Sequence, residues 1–325
     1  MLIDVNNLSK QFTYHKKEPG LKSSVSNLFR RERLVKHAVK NITFSIDEGE
    51  IVGFLGPNGA GKTTTLKMLS GIMYPTSGEA KVAGYVPWER KKKLKQQFSI
   101  VMGQKSQLWW DLPAIESLNL NKYIYEIEEA AFRQSVSDLT DLLDVKELLN
   151  VQVRRLSLGE RMKLELIAAL IHKPKILFLD EPTIGLDIIS QKKLRDSIKE
   201  YNRKEKTTII LTSHYMEDIE ELCSRLIVIN EGVIAYDGEL DKVNELFNQK
   251  KRLNLQFSDS ITRDALTNYG TIIDFDSYSA TIEIDRDKQK AHLRAMLEVL
   301  PISDFNIGDI PIEEGIRLLY ERGDS

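Results

Sequence analysis

The sequence predicts an α/β fold followed by a small α+β unit of ferredoxin-like order. Three observations carry that expectation. An apolar strand, Ile51–Leu55, runs into a glycine-rich loop and then into helix-patterned residues. A second apolar strand, Ile176–Leu179, ends in Asp180 and Glu181. From about residue 248 onward the pattern reads strand, helix, strand, strand, helix, strand.

The first element is the most specific. Residues 51–65 read IVGFLGPNGAGKTTT. Gly56, Pro57, Asn58, Gly59, Ala60, Gly61, Lys62 and Thr63 match the phosphate-loop pattern G-x-x-x-x-G-K-[ST]. Leu66, Leu69 and Ile72 follow at helical spacing. A triphosphate needs dense donors. Glycines let successive N–H groups turn inward, and a helix start adds its positive end. Lys62 is expected to reach the outer phosphates and the Thr63 hydroxyl to ligate Mg²⁺. These residues, with Thr64, are the candidate ATP ligands. A chance glycine turn would lack the flanking strand and helix.

The second element supplies the acids. Asp180 is expected to hold Mg²⁺ through water, and Glu181 to polarise the attacking water as general base. Just upstream stands LSLGE, residues 156–160, ahead of a stretch rich in leucine and alanine.

With LSLGE, the phosphate loop and the ILFLDEP strand together, residues 2 to about 240 resemble the ABC ATPase family. LSLGE is similar to that family's signature loop, usually LSGGQ. Leu158 replaces a glycine and Glu160 a glutamine, while Ser157 and Gly159 remain. The resemblance implies an ATP hydrolase with a helical subdomain at about residues 105–165. It implies that Gln104, or Gln107 as a less favoured competitor, occupies the glutamine loop and contacts Mg²⁺ or water. It makes Gly185-Leu186-Asp187 the loop that crosses a dimer interface, and His214 the switch histidine at the terminal phosphate. Phe12, with Tyr14 as an alternative, falls where an aromatic stacks on adenine. In the family the signature of one copy closes the phosphate site of another. One phosphate loop and one signature therefore imply a second ATPase subunit, identical or paralogous, bound head to tail.

GQKSQLWWDLP and LTSHYM resemble stretches of the subfamily paired with exporter permeases. That likeness implies a separate transmembrane permease as partner and a place on the cytoplasmic face of the membrane. An importer ATPase is the nearer alternative. A soluble ABC ATPase acting on ribosomes or nucleic acid is the more distant one. Translation-type members carry two cassettes and DNA-repair types a long coiled coil, and neither is seen here. A kinase or GTPase is disfavoured by the signature loop. Trp109 and Trp110 are adjacent, so they cannot both face one core. One is expected to line the permease groove, against the alternative that both are buried. Phe132, Val136, Leu139, Leu142 and Leu143 read as the apolar stripe of a subdomain helix.

Composition agrees with this reading. The 48 acidic and 46 basic residues leave a net charge of -2, which gives no case for a nucleic-acid partner. The single cysteine, Cys223, permits no intrachain disulfide. No apolar run approaches the roughly 18 residues that span a bilayer, and the first residues lack a signal-peptide layout.

Two regions fall outside the motifs. Residues 14–37 are basic, with Leu21, Val25, Leu28 and Phe29 on one helical face. They read equally as a membrane-surface or partner contact and as a solvated insertion. Domains are expected at 1–247 and 248–325. In the second, helices are expected at Ile261–Tyr269 and Asp287–Leu300, with a last helix at Ile312–Glu321. Without a catalytic cluster, this unit reads as regulatory or dimer-stabilising.

Overall fold

The structure is a computed structural model and describes residues 1–15, 33–103, 105–247, 250–310 and 314–316. Most of the basic segment 14–37, Gln104 and most of the last expected helix lie outside the described residues. The chain divides into two compact units, Met1–Asp237 and Gly238–Ser325.

In the first unit, β3 (Ile51–Leu55), β5 (Phe98–Met102), β6 (Ile176–Asp180), β7 (Thr208–Thr212) and β8 (Arg225–Asn230) join β9 (Val233–Glu239) in one sheet. Its order is β5-β6-β7-β3-β8-β9, and the pairs among β3 and β5 to β8 are parallel. A parallel strand is covered on both faces, so it reads as an unbroken apolar run rather than an alternating one. That is why ILFL and TIILT are buried throughout. A three-stranded antiparallel sheet, β1 (Ile3–His15), β2 (Arg33–Ile46) and β4 (Ser77–Val82), has the order β2-β1-β4. It shares a core with helix α1 (Lys62–Leu69) and the parallel sheet, through residues such as Leu8, Phe44, Phe54, Leu66 and Phe178.

Helix α1 stops at Leu69, earlier than its spacing suggested. Ser70 ends it and Gly71 turns left-handed, with φ +69°. Ile72 therefore leaves the apolar face and is exposed. Helices α2 (Ala114–Ile124) and α3 (Glu129–Leu143) pack on α4 (Leu158–Leu170) as the helical subdomain. Phe132, Leu139 and Leu143 are buried, while Val136 and Leu142 are half-buried. Trp109 and Trp110 are 55% and 51% exposed, so neither is buried in the subdomain. The unit is completed by α5 (Ile188–Glu205) and α6 (Met216–Leu222).

The second unit begins with α7 (Leu240–Phe247). Four antiparallel strands follow: β10 (Lys250–Phe257), β11 (Thr271–Asp276), β12 (Ser279–Asp285) and β13 (Ile302–Asp309). Their order, β11-β12-β10-β13, is the ferredoxin-like one. Helix α8 (Gln289–Val299) forms where a helix is expected. The expected helix at 261–269 does not. Only a 3₁₀ turn, Arg263–Leu266, stands there. Thr262 lends no side-chain cap, and the flanking Thr267, Asn268 and Gly270 are poor helix formers. So short a segment does not repay helix nucleation, yet its turn still buries Leu266 in the core.

Candidate functional site

The glycine loop after β3 is held by backbone crowding. A β-carbon on Gly56 would stand 2.1 Å from the Ile229 carbonyl oxygen, and one on Gly61 2.5 Å from that of Ala38. Gly61, with φ 116°, is the N-cap of α1 and contributes no side-chain cap. The first N–H groups of α1 are thus left facing the loop, where the helix dipole favours an anion. Lys62 is 8% exposed. Its ammonium donates to the carbonyls of Gly56 (2.5 Å) and Pro57 (3.2 Å). Burial pushes its pKa down from the ordinary lysine value, and the charges of Glu181 and Asp180 partly restore it.

A cavity of about 230 Å³ opens beside this loop. Pro57, Asn58, Gly59, Gly61, Lys62, Thr63 and Thr64 line it, with Glu181 and Phe12. Gly56 and Ala60 shape the loop from behind. Phe12 is brought there by β1, and Tyr14 does not line the cavity. Lys36, the cross-strand neighbour of Phe12, also lines it. The sequence held no local signal for Lys36, because its place follows from strand register alone.

The acids stand at the ends of neighbouring strands. Met102, Asp180 and Thr212 are in register across β5, β6 and β7. The Thr212 hydroxyl donates to Asp180 Oδ1 at 2.7 Å. Glu181 turns left-handed, with φ 55°, and its N–H donates to the Thr212 carbonyl at 3.0 Å. That turn aims its side chain at His214, whose Nε2 lies 3.0 Å from Glu181 Oε1. The donors near the loop are hard oxygens, the Thr63 hydroxyl and the Asp180 carboxylate, a set that suits Mg²⁺ better than a softer metal. Gln104 falls outside the described residues. Its competitor Gln107 donates its side-chain amide to the Ile100 carbonyl at 2.9 Å.

The signature residues form a separate cluster. Ser157 caps α4 in a reciprocal box with Glu160. Glu160 therefore performs the capping a glutamine would. A β-carbon on Gly159 would stand 2.8 Å from Ser190 Oγ. Asp187 caps α5 by accepting the Ser190 N–H at 2.9 Å, and Ser190's hydroxyl and N–H together hold its carboxyl below the usual range. The signature start and the Asp187 turn are thus packed together. Ser157, Gly159 and Asp187 take no part in the wall of the cavity.

Two buried acids, Glu165 and Asp218, were missed by sequence reading. Glu165, on α4, accepts the Ser106 hydroxyl (2.5 Å) and the Gln107 N–H (2.9 Å). An acid inside the apolar run LELIAAL was the available signal. One turn earlier on α4, the Arg161 guanidinium lies 5.3 Å from the Trp110 ring centre.

Comparison with known proteins agrees with this geometry. The family described as ABC transporter matches residues 39–184, and that described as EvrA-like ABC transporter, C-terminal domain, matches residues 249–308. The chain is 33% identical over 238 residues to the ABC transporter ATP-binding protein NatA of Bacillus subtilis (strain 168), covering 73% of this chain and 96% of that protein. It is 32% identical over 222 residues to the bacitracin transport ATP-binding protein BcrA of Bacillus licheniformis, covering 68% of this chain and 71% of that one. A solved dimeric ATP-binding cassette in a post-hydrolysis state, bound to ADP and Pi, superposes with a TM-score of 0.60 at 22% identity. It covers 73% of this chain and 98% of that one, and shows likeness of fold.

Proposed function

The chain belongs to the family of ABC transporter ATP-binding proteins and is an ATP hydrolase, and from that premise we propose that it is one half of a head-to-tail pair that drives export through a separate permease. The carrying observation is the division of the site. The cavity at the phosphate loop has Phe12 and Glu181 in its wall, while Ser157, Gly159 and Asp187 stand in a cluster of their own. A second subunit would bring its cluster to this cavity, and this one would return the contact.

In this reading Phe12 stacks on adenine. The N–H groups of the loop and of the α1 start bind the phosphates, and Lys62 exchanges backbone carbonyls for phosphate oxygens. Thr63, Asp180 and Gln104 would hold Mg²⁺, which supplies charge neutralisation at the phosphates. Glu181 accepts a proton from the attacking water. His214, in hydrogen-bond reach of Glu181, orients that carboxylate and meets the terminal phosphate. Phosphates gripped from both sides glue the pair, and cleavage weakens the bridge.

Export is supported by the bacitracin-transport relative and by the exposed Trp109 and Trp110 beside the glutamine loop. Docking there would hold the protein at the cytoplasmic face of the membrane. Glu181→Gln with ATP tests the pairing. Light scattering is expected to give twice the monomer mass, and a monomer at saturating ATP would sink it. Affinity capture from detergent-solubilised membranes tests the partner. A multi-span protein is expected, and ribosomes or nucleic acid would overturn the exporter reading.

A further inference from the structure

The Glu181–His214 contact joins residues that leave different strands. Besides the bonds that Thr212 makes to the Glu181 N–H and to Asp180, the two turns are tied by a buried side chain. Asp218, in the first turn of α6, is 0% exposed. Its Oδ2 accepts the Thr183 hydroxyl and the Ser213 hydroxyl, the latter at 2.6 Å. Thr183 stands just past Glu181, and Ser213 just before His214. Asp218 Oδ1 accepts Nη1 of Arg195 at 3.1 Å. Arg195 also donates Nε to Glu221 at 3.0 Å, and it belongs to α5, the helix that Asp187 caps.

One oxygen that receives both hydroxyls pulls both turns to one point. Both oxygens are engaged, Oδ2 by the two hydroxyls and Oδ1 by Arg195, which supplies the buried counter-charge. A carboxylate held in this way is rigid, because loss of Arg195 leaves buried Oδ1 unpaired and loss of either hydroxyl frees one of the two turns.

We propose that Asp218 is a positioning residue for ATP hydrolysis. Through Thr183 and Ser213 it sets the Glu181–His214 geometry. Through Arg195 it ties that geometry to α5, whose first residue follows the Asp187 turn. A shift of α5 at the subunit boundary is then felt at the hydrolytic pair. This deepens the reading of Glu181 and His214 as catalytic and rests on it.

A double-mutant cycle on the full chain at saturating ATP tests it. Asp218→Asn keeps the shape but leaves one acceptor oxygen where two stood, so an N–H₂ replaces the acceptor either of Arg195 or of the two hydroxyls. Its kcat is expected to fall roughly ten- to hundredfold, the cost of a small misplacement at a reacting centre. ATP affinity, read by titration with a fluorescent nucleotide, is expected to stay within about twofold, because Asp218 does not touch the cavity. In a His214→Ala background the same substitution is expected to cost less than about threefold, since the two act as one unit. Thr183→Val and Ser213→Ala each remove one hydroxyl. They are expected to give intermediate losses, and they carry the test if Asp218→Asn does not fold. Unchanged kcat, or losses that multiply in full beside His214→Ala, would overturn the proposal. If Glu181→Gln and His214→Ala themselves keep full turnover, the catalytic reading fails and takes this inference with it. If they lose turnover and Asp218→Asn does not, the inference alone falls.

Discussion

Gly103 packs against Glu181 so closely that a β-carbon on it would stand 2.3 Å from the Glu181 carbonyl oxygen. The Gly103 N–H also donates to the Asp180 carbonyl at 2.9 Å. Gly103 thus lies against the backbone of Glu181, the proposed general base. Gly103→Ala must push one of them away. Turnover is expected to fall at least about tenfold, while affinity for a fluorescent ATP analogue changes little. Equal turnover in a steady-state phosphate-release assay would contradict the coupling.

Phe12 reaches the cavity only through the register that sets it opposite Lys36. Stacking of a base on an aromatic ring contributes about 1–3 kcal/mol. Phe12→Ala is therefore expected to weaken ATP binding roughly five- to hundredfold, whereas Phe12→Tyr keeps it. Tyr14→Ala is expected to leave affinity unchanged. Calorimetric titration with ATP ranks the three.

The capping box separates structure from chemistry at the signature. Ser157→Ala removes a helix cap and is expected to cost about 1 kcal/mol of stability, together with ATP-dependent pairing. Glu160→Gln preserves the reciprocal bond and is expected to leave both intact. Glu160→Ala is expected to lower stability while the Ser157 hydroxyl still serves a partner. Urea unfolding, read beside light scattering, distinguishes the three.

His172 stacks on Tyr125 with ring centres 3.7 Å apart, and neither of its ring nitrogens has a hydrogen-bond partner. Burial pushes its pKa down to about 4 from 6.5. Between those values the unfolded chain binds a proton that the folded chain does not. Stability therefore rises with pH across that window and is flat above it. From about pH 7.5 to pH 5 the loss from this group is about 2 kcal/mol. His172→Phe is expected to flatten the urea midpoint over that range. An unchanged slope would mean that other groups set it.

The parts legible in the sequence are those whose chemistry is local. Gly56 to Thr63 form one loop, so residue types alone named the cradle. Asp180 and Glu181 were legible because two acids ending an apolar strand have few other uses. Phe12 and His214 are expected from family likeness alone, since nothing near them in sequence points to a nucleotide. In the fold, β1 brings Phe12 to the cavity and the end of β7 brings His214 to Glu181. Asp218 and Arg195 left no trace, because they meet across 23 residues from two different helices. The helix expected at 261–269 failed for the converse reason. Its apolar spacing was real, but the core needed only Leu266 and a turn supplied it.

The four-stranded sheet of the second unit has two outer strands, β11 and β13. On each, an aspartate bends onto its own chain. Asp274 takes the N–H of Phe275 at 3.0 Å, and Asp304 that of Phe305 at 2.8 Å. Each bond engages a backbone N–H of an outer strand and sets a carboxylate on that strand, and charged side chains on outer strands disfavour pairing with a further strand. Exposed Ile273 and Phe305 sit beside them. Two carboxylates thus put negative charge along the rim of this sheet, the kind of margin that disfavours edge-to-edge pairing.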